Sequence, residues 1–425
     1  MGTQTGTLRK RLPARPSSVG QARRMVRRSL VGAGRDDLVD TAELLVSEVV
    51  TNALLHAGTP IDVTCSVGRR GLRVEIGDGS PHLPSRRSYA STAGTGRGLM
   101  LLEQMVDDWG IVPNPPGKTV WFHVASGDQD EIDAAVMEGI TEPVRSAGGE
   151  TATVRFLNVP LLLHAAWEEH AQALLREYLL ANLDVGTDAI RLHAEATDAM
   201  AVVAERFPRP DIGLEPDQVL GGAVEPRVSS ARVDVQIPLR SLPNFRTLDE
   251  ALETAAAMAD NGVLLTPPTQ PELRSFRRWL CQQVDAQSKG LEPTAWSVEA
   301  GAPPETHHAL TWDSTPVTES AQATIAADDT NRIIAVSQPA LDLLGYDRQQ
   351  LVGQRIVTIV PARYRQAHIA GFTMHLLVGR SPLIGRTVVV PATRRDGLEI
   401  EVELTVQARV VPHGRKVFIA VLREI

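Results

Sequence analysis

Cysteine is nearly absent: the 425 residues hold two, Cys65 and Cys281, far apart in the chain. Two distant thiols exclude a cysteine-rich metal site and suit a reducing compartment. No apolar run reaches the length of a membrane-spanning helix. The N-terminus is basic (Arg9, Lys10, Arg11, Arg15), but no signal-peptide apolar core follows it. The net charge of −8 argues against nonspecific nucleic-acid binding by the whole chain, so direct DNA binding is not expected. Internal repeats and low-complexity tracts are missing, and no histidine precedes His56. What remains is ordinary globular composition, 43% hydrophobic and 22% charged, in a chain long enough for about two to four domains. The expectation is a cytoplasmic multidomain protein without membrane association.

Patterning divides the chain. Residues 13–125 alternate helix and strand. "SSVGQARRMVRRSLVGAG" is an amphipathic helix whose Arg23, Arg24, Arg27 and Arg28 face water, and a second helix runs from about Asp36 through His56. "IDVTCSVGRRGLRVEIGDG" has the alternation of a hairpin, "GLMLLEQMVDDWGI" reads as a third helix and "GKTVWFHV" as a closing strand. Helices over an antiparallel sheet predict a two-layer α/β sandwich. Residues 126–152 read as a linker. Residues 153–298 read as an all-α helical domain, with starts marked at Thr247 and Pro271. Residues 299–318 are a second linker, and 319–425 follow a different plan of strand, strand, short helices and three strands. The fold class is thus multidomain α+β.

Within "SEVVTNALLH" (47–56), Glu48, Asn52 and His56 recur at four-residue spacing and project from one helix face, while Val49, Val50, Ala53, Leu54 and Leu55 supply apolar surface for a core. Downstream, "IGDGSPHLP" delivers Asp78 into a turn at Gly79. "GTGRGL" (94–99) then offers glycines before a helix, where unpaired backbone N–H groups suit an anion. In this order the carboxylate-and-amide helix, the Asp-Gly turn and the Gly-rich loop resemble the GHKL (Bergerat-fold) ATP-binding domain. Within that superfamily they are most similar to the anti-sigma factor serine kinases of bacteria. The resemblance covers roughly residues 13 to 124 and includes "VDDWGIVP" and "GKTVWF".

The resemblance implies ATP with Mg²⁺ as cofactors. Asn52 would ligate the Mg²⁺ through its amide oxygen, and Glu48 would act as general base on an attacking hydroxyl. Asp78, with Gly79 behind it, would accept from the adenine amino group. Gly94, Gly96 and Gly98 would let the lid backbone wrap the phosphates, with Arg97 balancing their charge and Leu99 also among the nucleotide-binding residues. Thr119 would make a polar contact near adenine, while His56 is structural. Ser80, Pro81 and His82 follow Gly79 where the superfamily usually has another glycine, a form familiar among the anti-sigma kinases. Without an upstream phosphoacceptor histidine, histidine autophosphorylation is not expected. The short lid between Pro84 and Gly94 leaves the γ-phosphate open to a docked protein. The implied activity is serine/threonine phosphorylation of a STAS-type anti-anti-sigma protein, with a sigma factor as competing partner and a homodimer as the assembly. The alternative is a non-catalytic, ATP-dependent anti-sigma binding switch.

The last segment resembles a PAS module through "DTNRIIAVSQPALDLLGYDRQQLVGQ", "IVPARYRQAHIAGF" and "RRDGLEIEVELTV", with Gln338 standing where that family often has asparagine. His368 and Arg386 are spaced as in haem-binding PAS oxygen sensors. Similar Arg-rich segments occur in PAS domains without haem, so a small apolar ligand, or none and a dimer interface, is the favoured expectation.

Overall fold

The computed structural model describes residues 6–68, 71–79, 105–106, 108–114, 117–125, 150–182, 188–209, 222–297, 312–379, 384–412 and 415–425. Two compact units divide the chain: residues 1–151 with 179–201 and 238–248, and residues 152–178 with 202–237 and 249–425. The middle region is therefore shared between the two.

In the first unit, strands β1 (Gly6–Leu12), β2 (Ile61–Gly68), β3 (Gly71–Asp78), β4 (Asp108–Asn114) and β5 (Gly117–Ala125) form an antiparallel sheet in the order β1-β2-β3-β5-β4. Period-2 alternation puts Ile61, Val63, Cys65 and Val67 of β2, Leu72, Val74 and Ile76 of β3, and Val120, Phe122 and Val124 of β5 into one core. Helices α1 (Ser17–Gly32) and α2 (Val39–Ala57) close that core with Ala22, Val26, Leu30, Leu45, Val46, Val49 and Val50. Apolar positions at helical spacing drive the packing.

Two expectations change here and one is extended. The domain starts before Pro13, because the basic stretch around Arg9, Lys10 and Arg11 is edge strand β1, where cationic side chains oppose further strand addition. Arg23 and Arg27 are exposed as expected, and they also meet a carboxylate. Arg27 bonds both oxygens of Glu43 on α2 at 2.6 and 3.0 Å, and Arg23 reaches the same carboxylate at 3.4 Å. The Arg27 bond, ahead of every other influence, holds the Glu43 carboxyl below its ordinary range. The helix expected through Ile111 gives way to β4, paired with β5 from Asp108 to Asn114. Neighbouring strand edges outweigh local helix propensity there, while residues 98–104 lie outside the described residues.

Helix α3 (Leu161–Asn182), α4 (Asp188–Ala204), α5 (Leu242–Asp260) and α6 (Pro271–Ser288) supply the expected helical middle. They are joined by a two-stranded sheet, β6 (Thr151–Pro160) and β7 (Ser229–Pro238), which the helical pattern concealed. Leu161 N donates to Val228 O at 2.9 Å, and Leu239 N donates to Glu150 O at 3.0 Å. The residue after each strand-ending proline thus bonds the residue before the partner strand, a shared local plan. Phe156, Trp167, Phe207, Phe276, Trp279 and Trp296 gather in edge-to-face contacts beneath β6. Pro271 opens α6 as expected. Thr247 caps nothing: α5 starts at Leu242, and Thr247 Oγ1 bonds Glu195 at 3.1 Å instead. Pro243, tolerated in a first turn, let the helix begin earlier.

The C-terminal sheet runs in the order β10-β11-β12-β8-β9, from β8 (Ala323–Asp328), β9 (Ile333–Val336), β10 (Thr387–Thr393), β11 (Glu399–Val410) and β12 (Lys416–Glu424). Short helices α7 (Thr315–Thr318), α8 (Gln338–Leu344) and α9 (Arg348–Leu351) and the longer α10 (Arg365–Val378) accompany it. Ile325, Ile333, Leu341, Leu344, Leu351, Val402 and Leu422 form its main core.

Candidate nucleotide-binding site

Helix α2 packs against β3. Gly58, in the left-handed conformation at φ 59°, ends α2 and turns the chain into β2. Thr59 follows, and its Oγ1 accepts from Gly79 N at 3.0 Å, so the turn after Asp78 is tied to the chain leaving α2. Gly117 starts β5 so close to β3 that a Cβ there would stand 1.7 Å from Asp78 O. Only glycine permits that approach.

Glu48 and Asn52 lie half-buried on α2, one turn apart. Among the described residues their side chains make no hydrogen bond or ion pair, although the flanking Val49, Val50 and Ala53 are packed in the core. Half-buried polar groups without protein partners are suited to a ligand. The His56 side chain is outside the described residues, as are Gly94, Gly96, Arg97, Gly98 and Leu99.

Asp78 is buried and meets a residue that the sequence did not single out. Lys118 Nζ donates to Asp78 Oδ1 at 3.1 Å, with side-chain exposures of 5% and 1%. The two stand directly opposite in the β3–β5 register. They prolong the core-facing rows Leu72-Val74-Ile76 and Val124-Phe122-Val120 to the end of the sheet. Thr119 takes the other face by alternation, opposite Gly77, and is not beside Asp78. The signal for Lys118 was the period-2 row itself, counted back from Val124. Removing either partner takes the ion pair from a buried charge, at roughly 3–5 kcal/mol.

These residues fit a nucleotide. A buried carboxylate backed by an ammonium can read a base, and the Asn52 amide is a hard oxygen donor of the kind Mg²⁺ takes beside phosphate oxygens. Among the described residues no cluster of three or more His, Cys, Asp or Glu could hold a metal by itself. Asn52 is the residue that would hold a Mg²⁺ beside the nucleotide's phosphates.

His368 on α10 is half-buried, and its Nε2 lies 3.0 Å from Asn331 Nδ2 and 3.1 Å from Asn331 Oδ1. Burial first, and the nearby Arg355 second, push the imidazole down to about 4. The nitrogen that an iron would take faces an amide, and Arg386 is exposed ahead of β10, so no haem role is assigned to them. No helix among the described residues is long and apolar enough to cross a membrane.

Residues 12–124 match the family model of the histidine kinase-like ATPase domain, and residues 317–425 that of the PAS fold. An uncharacterized protein from Azorhizobium caulinodans is 36% identical over 107 residues, which are 25% of this chain and 14% of that protein. The chain thus spans about a seventh of that relative's length. Among solved structures, the PAS domain of an HTR-like protein from Haloarcula marismortui is 22% identical with a TM-score of 0.21, covering 26% of this chain and 88% of that one. A PAS domain from Colwellia psychrerythraea is 15% identical with a TM-score of 0.23, covering 26% and 92%. The protein carries a histidine kinase-like ATPase domain at its N-terminal end and a PAS fold at its C-terminal end.

Proposed function

We propose that the protein is a signalling kinase of the anti-sigma factor type, which transfers the γ-phosphate of Mg·ATP to a serine or threonine of a partner protein. The observation that carries this reading is the unpaired Glu48–Asn52 pair on α2, the helix that packs against β3 and leads through Thr59 to the turn after Asp78. Asp78 binds the base and Asn52 orients the Mg·phosphate group. Glu48, one helical turn away, takes the proton from the attacking hydroxyl. The positioned nucleotide supplies the phosphoryl group, and the chain supplies orientation and the base. The partner is a STAS-type anti-anti-sigma protein or a sigma factor, with a homodimer as the acting form and the PAS fold as the sensor that regulates transfer.

Transfer of [γ-³²P]phosphate from ATP to a STAS partner is the test. The wild-type chain labels a partner serine, and Glu48→Ala abolishes labelling while retaining nucleotide and partner binding. ATP-dependent partner binding without labelling by the wild type would instead make the protein a non-catalytic switch.

A further inference from the structure

We propose that Lys118 is a base-reading residue: its ammonium donates to the ring nitrogen next to the exocyclic amine that Asp78 accepts from. This rests on the nucleotide reading above and adds to it the residue that recognises the second atom of the base edge. Adenine presents an amino donor and a ring-nitrogen acceptor side by side. A carboxylate beside an ammonium is the complementary pair, and Asp78 Oδ1 and Lys118 Nζ stand 3.1 Å apart.

Three observations favour this over an ion pair that merely closes the core. The pair ends two rows of aliphatic and aromatic side chains, where two more apolar residues would continue the core without any desolvation cost. Replacing a buried ion pair by apolar residues is often neutral or stabilising, so folding alone gives little reason for charge here. The backbone around the pair is also fixed: Gly117 approaches Asp78 O too closely for any side chain, and Gly79 N is bonded to Thr59 Oγ1. A preset donor and acceptor are what base selection requires. Lastly, the turn after Asp78 is bonded to Thr59, on the chain leaving α2, the helix of Glu48 and Asn52 that packs against β3.

The test compares equilibrium binding of ADP with that of 1-deaza-ADP, in which the ring nitrogen is a C–H, to the full-length protein. The wild type binds ADP about tenfold more tightly, the loss expected for one charge-assisted hydrogen bond. Lys118→Met binds the two nucleotides equally, and so does the double variant Asp78→Asn/Lys118→Met, which removes both charges of the pair together. Equal binding of both nucleotides by the wild type overturns the proposal without recourse to any variant. A preference that survives in Lys118→Met overturns it too. A wild type that binds neither nucleotide removes the nucleotide reading itself, and the role of Lys118 with it.

Discussion

His170 on α3 illustrates how much one buried side chain governs. Its ring is 2% exposed, and Nε2 lies 3.0 Å from Pro267 O, so that nitrogen carries the proton and donates. Burial, ahead of all other influences, pushes the imidazole down to about 4 from its ordinary 6.5. As pH falls, the unfolded chain takes up its proton first. The stabilisation is complete above the unfolded value and declines as pH drops through 6.5 towards 4. Between pH 7 and pH 5 the loss from His170 alone is roughly 2 kcal/mol. Urea unfolding at the two pH values checks it: wild type loses more stability on acidification than His170→Gln does. His368, held down to about 4 as well, titrates in both proteins and cancels from the comparison.

At the scale of elements, what the sequence revealed depended on whether a pattern was local. The β2–β3 hairpin, α2 and the Pro271 start of α6 were legible because periodicity and one turn or cap residue specify each. Strand β4 was not, since Trp109 and Ile111 gain their strand conformation from β5, across a connection. Lys118 was overlooked because a lone lysine after glycine looks like a solvated strand end until its row is followed. In the PAS fold, Gln338 donates to Asp342 at 2.8 Å. Ser337 does the capping: its Oγ accepts from Ala340 N at 3.3 Å and from Thr324 N at 2.8 Å, and donates to Gln322 O at 2.8 Å. One fully buried hydroxyl therefore caps α8 and ties it to the chain entering β8. Ser337→Ala removes the cap and strands a buried N–H, a loss of about 2 kcal/mol in unfolding free energy. Ser337→Thr, which keeps the hydroxyl, recovers part of it; denaturant titration of both variants distinguishes the missing bond from a general packing defect.

At the scale of the whole molecule, the second unit is joined by polar contacts between residues remote in sequence. Arg355, between α9 and α10 of the PAS fold, donates to both oxygens of Glu272 at 2.8 and 2.7 Å and to Gln270 Oε1 at 2.8 Å, at the start of α6. Gln270, itself 1% exposed, donates onward to Asp329 O at 3.2 Å, and Asp329 is clasped by Arg415 at 2.6 and 2.5 Å. No pattern in the sequence pairs these positions, because each contact spans more than a domain's linker and depends on the folded unit. With side-chain exposures of 15% and 17%, the Arg355–Glu272 pair is poorly screened by solvent, so it contributes more than a surface ion pair. A double-mutant cycle of Arg355→Ala and Glu272→Ala should give a coupling of about 1–3 kcal/mol. Breaking the pair loosens both sides: hydrogen exchange rises together in the first turn of α6 and in the β8–β9 turn. A change confined to one side would mean that the PAS fold and the middle helices respond independently, and a sensor coupled to them through this contact would then be lost.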